Sequence, residues 1–282
     1  MKKLEPYLWL LPAFCLFITF TFLPFLQTIV KSLFIVDSLG RVKRFVGLEN
    51  YIYILQDEKF VKAIWVTLKF VVLTVPAPII TGTVLAFIAN KRRRLSRVYE
   101  ACFAIPMAMS ASVTAMIFQM IYVPEFGLLN NILGVNIRWL SDSRYALFAI
   151  ALIQNWLASA QVFIYMLSAM RGVPQSLVES SSLDGASPVK QFVSIYLPLT
   201  TPTLFYLVCT NLIYSMMMMS LINVLTAGGP ANSTMTIMQY VYRQFAAAGN
   251  YTNANPAAII AFIMTFVVTM LNFIWEKKGV NY

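Results

Sequence analysis

The sequence contains no histidine. That absence removes the commonest metal ligand and the usual general base near neutral pH. Charge is scarce too: charged residues are 11% of the 282 positions, against roughly 25% in a soluble domain. The three cysteines, Cys15, Cys102 and Cys209, stand far apart in apolar surroundings and form no CxxC pair. They read as small buried hydrophobes rather than a disulfide framework. No phosphate loop, no HExxH and no nucleophile with a paired base occurs anywhere. Missing as well is a midspan Asp, Glu or Arg relay, or a pair of interrupted helices in two inverted halves, as an ion-coupled carrier would carry. No catalytic or ion-coupling machinery is visible in these residues, so any work done by the chain is expected to draw its energy from a partner.

What remains is oil. Apolar residues make up 59% of the chain and the mean hydropathy is +0.72, too high for a larger soluble core to explain, so the bilayer is the expected solvent. At about 20 residues per crossing, six segments are long enough: Tyr7–Val30, Trp65–Asn90, Val98–Tyr122, Tyr145–Met170, Thr203–Leu225 and Ala257–Trp275. The first follows Lys2 and Lys3 as a signal peptide would, but its apolar run is too long and no A-x-A site closes it, so it reads as a retained helix. The net charge of +10 fits basic loops that fix orientation better than a nucleic-acid partner. Lys2–Lys3, the run Lys91–Arg94 with Arg97, and Lys277–Lys278 share one side if both termini are cytoplasmic. Prolines 12, 24, 76, 78 and 106 fall within spans and predict local kinks.

Lys69, near the outer end of the second span, is the one charge well inside a span. It reads either as a functional group or as a long side chain snorkelling to the interface. Uncharged polar residues are plentiful. Gln154, Ala158, Gln161, Tyr165 and Ser168 recur at helical steps and share one face of the fourth span, bordered by Asn155, Trp156 and Ser159. The fifth span offers Asn211, Tyr214, Ser215 and Asn223 around Met216–Met219, and the third adds Gln119 and Tyr122. These groups can either hydrogen-bond between helices or line a lumen for a neutral polar solute. Candidate pathway residues are therefore Gln154, Gln161, Tyr165, Asn211, Tyr214 and Ser215.

One stretch is unlike the rest: VESSSLDGASPVKQFVSIYLP, residues 178–198, inside the loop 171–201 between the fourth and fifth spans. Gln175–Leu183 predicts a short helix, and Asp184-Gly185 the turn that ends it. Ser187 is a good N-cap and Pro188 suits the first helical position. Val189, Phe192, Val193 and Tyr196 then give a second helix one apolar face, with Pro198 as its expected end. So small a hairpin cannot bury that face alone; it needs either the chain's own loops or a soluble partner.

The order Glu179, Asp184-Gly185-Ala186, Phe192, Ile195, Leu197-Pro198 resembles the EAA loop of binding-protein-dependent ABC importer permeases, with Ser180 and Ser181 where that motif has alanines. VGLENY (Val46–Tyr51), GLLNNILG (Gly127–Gly134), LTAGGPANST (Leu225–Thr234) and YVYRQF (Tyr240–Phe245) extend the resemblance over nearly the whole chain. They place it in the carbohydrate branch, similar to maltose- and glycerol-3-phosphate-type permeases.

The resemblance implies an all-α integral membrane protein with six transmembrane helices and the type I ABC importer permease fold, residues 1–282 forming one transmembrane domain. It also implies that the loop couples to a cytoplasmic ATPase through Glu179, Ser180, Ser181, Asp184, Gly185, Ala186 and Phe192. The implied partners are a second homologous permease in a hetero-dimer, two ATPase subunits that carry ATP and magnesium, an extracytoplasmic solute-binding protein, and membrane lipid. This chain itself would bind no cofactor and catalyse nothing, acting in the bacterial inner membrane as half of a pathway for a sugar or sugar-like solute. A peptide or amino-acid permease of the same superfamily and an ATPase-independent carrier are the alternatives.

Overall fold

The structure, a computed structural model, describes residues 5–91 and 96–279. The basic pair Lys2–Lys3 and the arginines Arg92–Arg94 lie outside the described residues. Its apolar helices occupy the six expected places: five candidate spans, Trp9–Ser32, Glu58–Asn90, Ala146–Arg171, Thr201–Leu225 and Tyr251–Ile274, and one bent pair, Ser96–Ala108 with Ala111–Ile121. By contacts the chain divides into two compact units.

The first unit holds the residues up to Val61 together with Tyr240–Ile263. The first span widens into a π turn at Ile18–Phe22 before continuing as Leu23–Ser32. Pro24 explains the widening: it has no N–H to give, and its ring would press on the carbonyl one turn back. Within the span's apolar window no side chain is buried by this chain.

One short pair of strands, which the sequence analysis did not anticipate, follows this span in the otherwise helical fold. Phe34–Val36 and Val42–Phe45 pair as an antiparallel hairpin. Its turn is closed by Asp37, whose Oδ1 accepts from the N–H groups of Leu39 (3.0 Å) and Arg41 (2.8 Å), with Gly40 at φ 77°. The Arg41 N–H and the neighbouring Lys43 hold the Asp37 carboxyl below its ordinary range. The hairpin is anchored from two sides. Asn50 Nδ2 donates to Ser32 O and Phe34 O, both at 2.9 Å. Val36 N donates to Thr252 Oγ1 at 2.9 Å, and that hydroxyl in turn donates to Val36 O. Outside the spans, Tyr240 donates its hydroxyl to Asp57 Oδ2 (2.8 Å), and burial, with Asp57 second, raises its pKa.

The second unit comprises Lys62–Gln239 and the residues from Met264 onward. Pro76 and Pro78 sit in the first turn of a new helix, Pro76–Asn90, where the missing N–H costs nothing. This helix packs along Ala146–Arg171, with Gly82, Ala86 and Ala89 buried on one side and Val162, Phe163 and Met166 on the other. Small residues let the two backbones approach closely, and in lipid that contact is the main source of association.

The third and fifth spans are interrupted, the third beside Pro106, where the sequence predicts a kink. The third bends by 101° between Ala108 and Ala111. Pro106 begins the disruption, Met109 is extended, and Ser110 caps the next helix by accepting from Val113 N at 3.3 Å. The fifth breaks at Met217–Met219, between helices Thr201–Met216 and Ser220–Leu225. There Thr236 Oγ1 donates to the freed Met218 carbonyl at 2.9 Å, the kind of partner irregular backbone needs inside a membrane.

GLLNNILG forms the short helix Leu128–Leu133 between its two glycines, with Gly134 left-handed at φ 64°. Asn130 ties this helix to the segments on either side of it, donating to Pro124 O and Ile137 O and accepting from Trp139 Nε1 at 2.7 Å.

Candidate functional site

The hairpin between the fourth and fifth spans begins with helix Gln175–Leu183, over the expected residues. Gly185 turns the chain at φ 75°, a conformation that favours glycine. Gly185 N and Ala186 N donate to Ser182 O (3.1 Å) and Ser181 O (2.9 Å), closing the helix end. Ser187 caps the second arm by accepting from Lys190 N at 3.3 Å, and Pro188 opens it. Pro198 does not end that arm. Helix Pro188–Gln191 passes through a π turn, Phe192–Tyr196, and continues as Leu197–Leu199. The wider turn accommodates the proline ring and its missing donor, so the helix bulges instead of stopping.

The serines at and beside the alanine positions of the motif gain a defined role. Ser181 and Ser182 each donate a hydroxyl to Val178 O, at 2.8 and 2.9 Å, and each accepts from Gln191 Nε2, at 3.1 and 2.8 Å. Gln191 is only 8% exposed, so both amide protons are spent clamping one arm of the hairpin to the other. Among the described residues the Ser180 hydroxyl bonds only within its own helix, donating to Leu177 O.

The apolar face of the second arm divides between two hosts. Phe192 and Tyr196 pack on Phe87 of the second span, with ring centroids 4.7 and 5.6 Å away. Val189 and Val193 stay exposed, as do Leu177 and Leu183 on the first arm, Leu183 at 89%. Glu179 and Asp184 are exposed too, and neither carboxylate has an ion-pair partner among the described residues.

On the polar faces the six candidate pathway residues separate. Asn211 and Ser215 are buried and satisfied within the chain, Asn211 donating to Leu207 O at 2.8 Å and Ser215 Oγ lying 2.9 Å from Thr74 Oγ1. Tyr165 and Tyr214 are exposed, and the Tyr165 ring lies 5.7 Å from Tyr206, which sequence reasoning passed over. Gln161 is half-buried and Gln154 buried, and neither side chain has a hydrogen-bond partner among the described residues. Of these residues, Tyr165, Tyr206 and Tyr214 are exposed and Gln161 is half-buried. Asn155 instead spans helices, donating to Leu73 O at 3.1 Å.

Lys69 is exposed and lines an apolar cavity of about 1010 Å³ with Trp65, Lys62 and Arg144. Sequence reasoning also missed the two-pronged pair of Arg171, at the end of the fourth span, with Glu100, at 2.6 and 3.3 Å. Residues 71 apart give no sequence signal for it. Among the described residues no cluster of His, Cys, Asp and Glu could hold a metal ion.

Comparison with known proteins agrees with this geometry. The model of the family described as "Binding-protein-dependent transport system inner membrane component" matches residues 78–276. The sn-glycerol-3-phosphate transport system permease protein UgpA of Yersinia pestis is 30% identical over 281 residues, covering 98% of this chain and 95% of that protein. Its namesake in Salmonella typhimurium is 28% identical over the same length, covering the same shares of both chains. In structure the chain is similar to one in the bacterial alginate ABC transporter complexed with an alginate pentasaccharide-bound periplasmic protein. There the TM-score is 0.86 at 20% identity, over 98% of this chain and 96% of that one. A chain of the inward-facing MetNI methionine ABC transporter gives 0.60 at 17% identity, over 83% and 99%. The fold is that of type I ABC transporter permeases, and the chain belongs to the family of binding-protein-dependent transport system inner membrane components.

Proposed function

We propose that this chain forms half of the translocation pathway of an ATP-driven importer for a sugar or sugar-like solute. The observation that carries the reading is the hairpin, which leaves Leu177, Leu183, Val189 and Val193 exposed together with Glu179, a carboxylate without an ion pair among the described residues, in a chain with no nucleotide-binding motif of its own. Such a surface fits a soluble ATPase offering an apolar groove with a basic residue for Glu179. ATP and magnesium are then held by two ATPase subunits. ATP-driven closure moves the hairpins and biases the permease between inward- and outward-facing states. A second homologous permease completes the pathway, which the first span's lack of buried side chains supports. A binding protein delivers solute from outside, and both termini lie in the cytoplasm of a bacterial inner membrane.

The solute class draws support from relatives named for glycerol-3-phosphate and alginate transport, and from a face of amides and tyrosines without carboxylates. The whole complex in liposomes should take up a labelled sugar or polyol only with ATP. Competition from a panel of sugars, polyols, amino acids and peptides identifies the class. Uptake without any ATPase subunit, or competition by peptides alone, contradicts the proposal.

A second measurement addresses the pathway. Alanine at Gln161, Tyr165 or Tyr214 should weaken uptake while basal ATP hydrolysis persists, each lost neutral hydrogen bond being worth about 0.5–1.5 kcal/mol. The same change at Asn211 should act through stability instead, because that amide is buried and already paired. Unchanged uptake in all three exposed-face variants returns those residues to a packing role.

A further inference from the structure

Behind the hairpin, on the side away from the exposed tip, lies a second cavity of about 510 Å³. Two parts of the molecule wall it. Asn90, Lys91 and Arg171 come from the ends of the second and fourth spans, while Gln175, Gln191 and Tyr196 come from the two arms of the hairpin. The volume falls in the range of about 300–1,000 Å³ usual for small-molecule sites.

The lining is polar, and its groups are unevenly committed. Arg171 is engaged by Glu100 at 2.6 Å, which leaves that pair close to neutral. Lys91 has no hydrogen bond or ion pair among the described residues. Among the described residues no carboxylate lines the space, and Lys91 stands there as an uncompensated ammonium. The side-chain amides of Asn90 and Gln175 have no partners among the described residues either. Gln191 has both amide protons on Ser181 and Ser182, so its orientation is fixed and its carbonyl oxygen is left as a pure acceptor beside the cavity. A ligand matching this set carries an anionic group for Lys91 and hydroxyl groups for Gln191, Asn90 and Gln175.

We infer that this cavity is a cytoplasmic binding site for a small hydroxylated anion of the sugar-phosphate or sugar-acid class, whose occupancy slows the coupling cycle. The physical reason is the origin of the walls. A molecule bridging Lys91 to Gln191 braces the hairpin against the span ends, and so favours the hairpin placement seen here over any other. A ligand of this chemistry has two possible sources, the imported solute after release or an unrelated cytoplasmic metabolite. The regulatory half of the inference rests on the coupling role proposed above; the binding half does not.

The test uses the complete transporter in liposomes, with probes added on the ATPase face. Labelled sn-glycerol 3-phosphate supplies both features of the ligand, inorganic phosphate only the charge, and glycerol only the hydroxyls. Glycerol 3-phosphate should bind saturably and slow solute-stimulated ATP hydrolysis, while the two partial probes bind about tenfold more weakly or worse. Lys91→Gln and Asn90→Ala should lose the inhibition, with binding weakened about tenfold for the lysine, yet keep full stimulation when no probe is present. If the class is the imported one, a probe that competes for uptake will also inhibit from inside; inhibition only by non-transported anions assigns the site to another metabolite. Binding unaffected by Lys91→Gln, or none at all, overturns the site. Tight binding without slowing overturns its regulatory role. Failure of the coupling reading shows separately, as unaltered stimulation in hairpin-tip variants measured without any probe.

Discussion

Glu179→Lys combined with Gly185→Pro is expected to leave the chain inserted at its normal level and yet abolish solute-stimulated ATP hydrolysis in the reconstituted complex. Both positions are open: Glu179 is exposed without an ion pair among the described residues, and a side chain added at Gly185 would meet nothing within 4 Å. Glu179→Lys therefore disturbs no packing inside the chain, while Gly185→Pro removes the N–H that closes the helix end on Ser182 O. What they change is the surface offered outward. Proline fixes φ near −65°, which the 75° at Gly185 forbids, so the Asp184–Ala186 turn must re-form with another direction. Reversing the charge at Glu179 replaces attraction by repulsion against a basic groove, a difference of several kcal/mol when the contact is desolvated. Single variants separate the contributions. Glu179→Lys should weaken association with the ATPase without moving the thermal midpoint, whereas Gly185→Pro should weaken coupling even where association survives. Normal stimulation in the double variant would remove the hairpin from the coupling path.

Those two residues also mark how far the sequence could be read. The first arm of the hairpin, its turn and its second start were legible to the residue, because capping and turn chemistry are local. The six apolar segments were legible for the same kind of reason: membrane thickness sets their length, whatever they touch. Most of the failures involve partners distant in the chain. The break at Met217–Met219 carries no proline or glycine, and what supports it is a hydroxyl from Thr236 on another segment. Pro198 looked like a stop, but the π turn before it lets the helix continue. The strand pair at Phe34–Phe45, a small element of a mostly helical fold, does carry a local signal in the turn built on Asp37 and Gly40. Among pathway candidates, periodicity placed Gln154, Gln161 and Tyr165 on one helix face. It could not say that Asn211 and Ser215 are buried and paired within the chain, or that Tyr206 joins Tyr165 from the fifth span. Gln191 was invisible until its partners were known. Its clamp explains why a serine at 181 is tolerated where the family motif has alanine: the hydroxyl is used, on Val178 and on Gln191.

A large effect on the fold itself is expected at Gly82, where two spans meet. A β-carbon there would lie 2.6 Å from Val162 Cβ, 2.7 Å from Val162 Cγ1 and 2.8 Å from the carbonyl oxygen of Ser159. Two of those neighbours are fixed to the backbone of the fourth span, so no rotamer change relieves them. The helices Pro76–Asn90 and Ala146–Arg171 must separate instead, and with them the contacts of Ala86 and Ala89 against Val162, Phe163 and Met166. Surrounding lipid is as apolar as the displaced side chains, so no hydrophobic gain restores the contact. Gly82→Ala should lower stability by about 1–3 kcal/mol, the usual cost of overpacking, and Gly82→Leu should leave little folded protein in the membrane. Val162→Ala in the Gly82→Ala background should recover only part of the loss, because it removes the γ-carbons but neither the β-carbon nor the Ser159 carbonyl. Thermal midpoints followed by fluorescence-detected gel filtration give the comparison. A Gly82→Leu protein that accumulates and melts like the unaltered chain would show that the spans are held by something other than this close approach, and full rescue by Val162→Ala would clear the Ser159 backbone of any part in it.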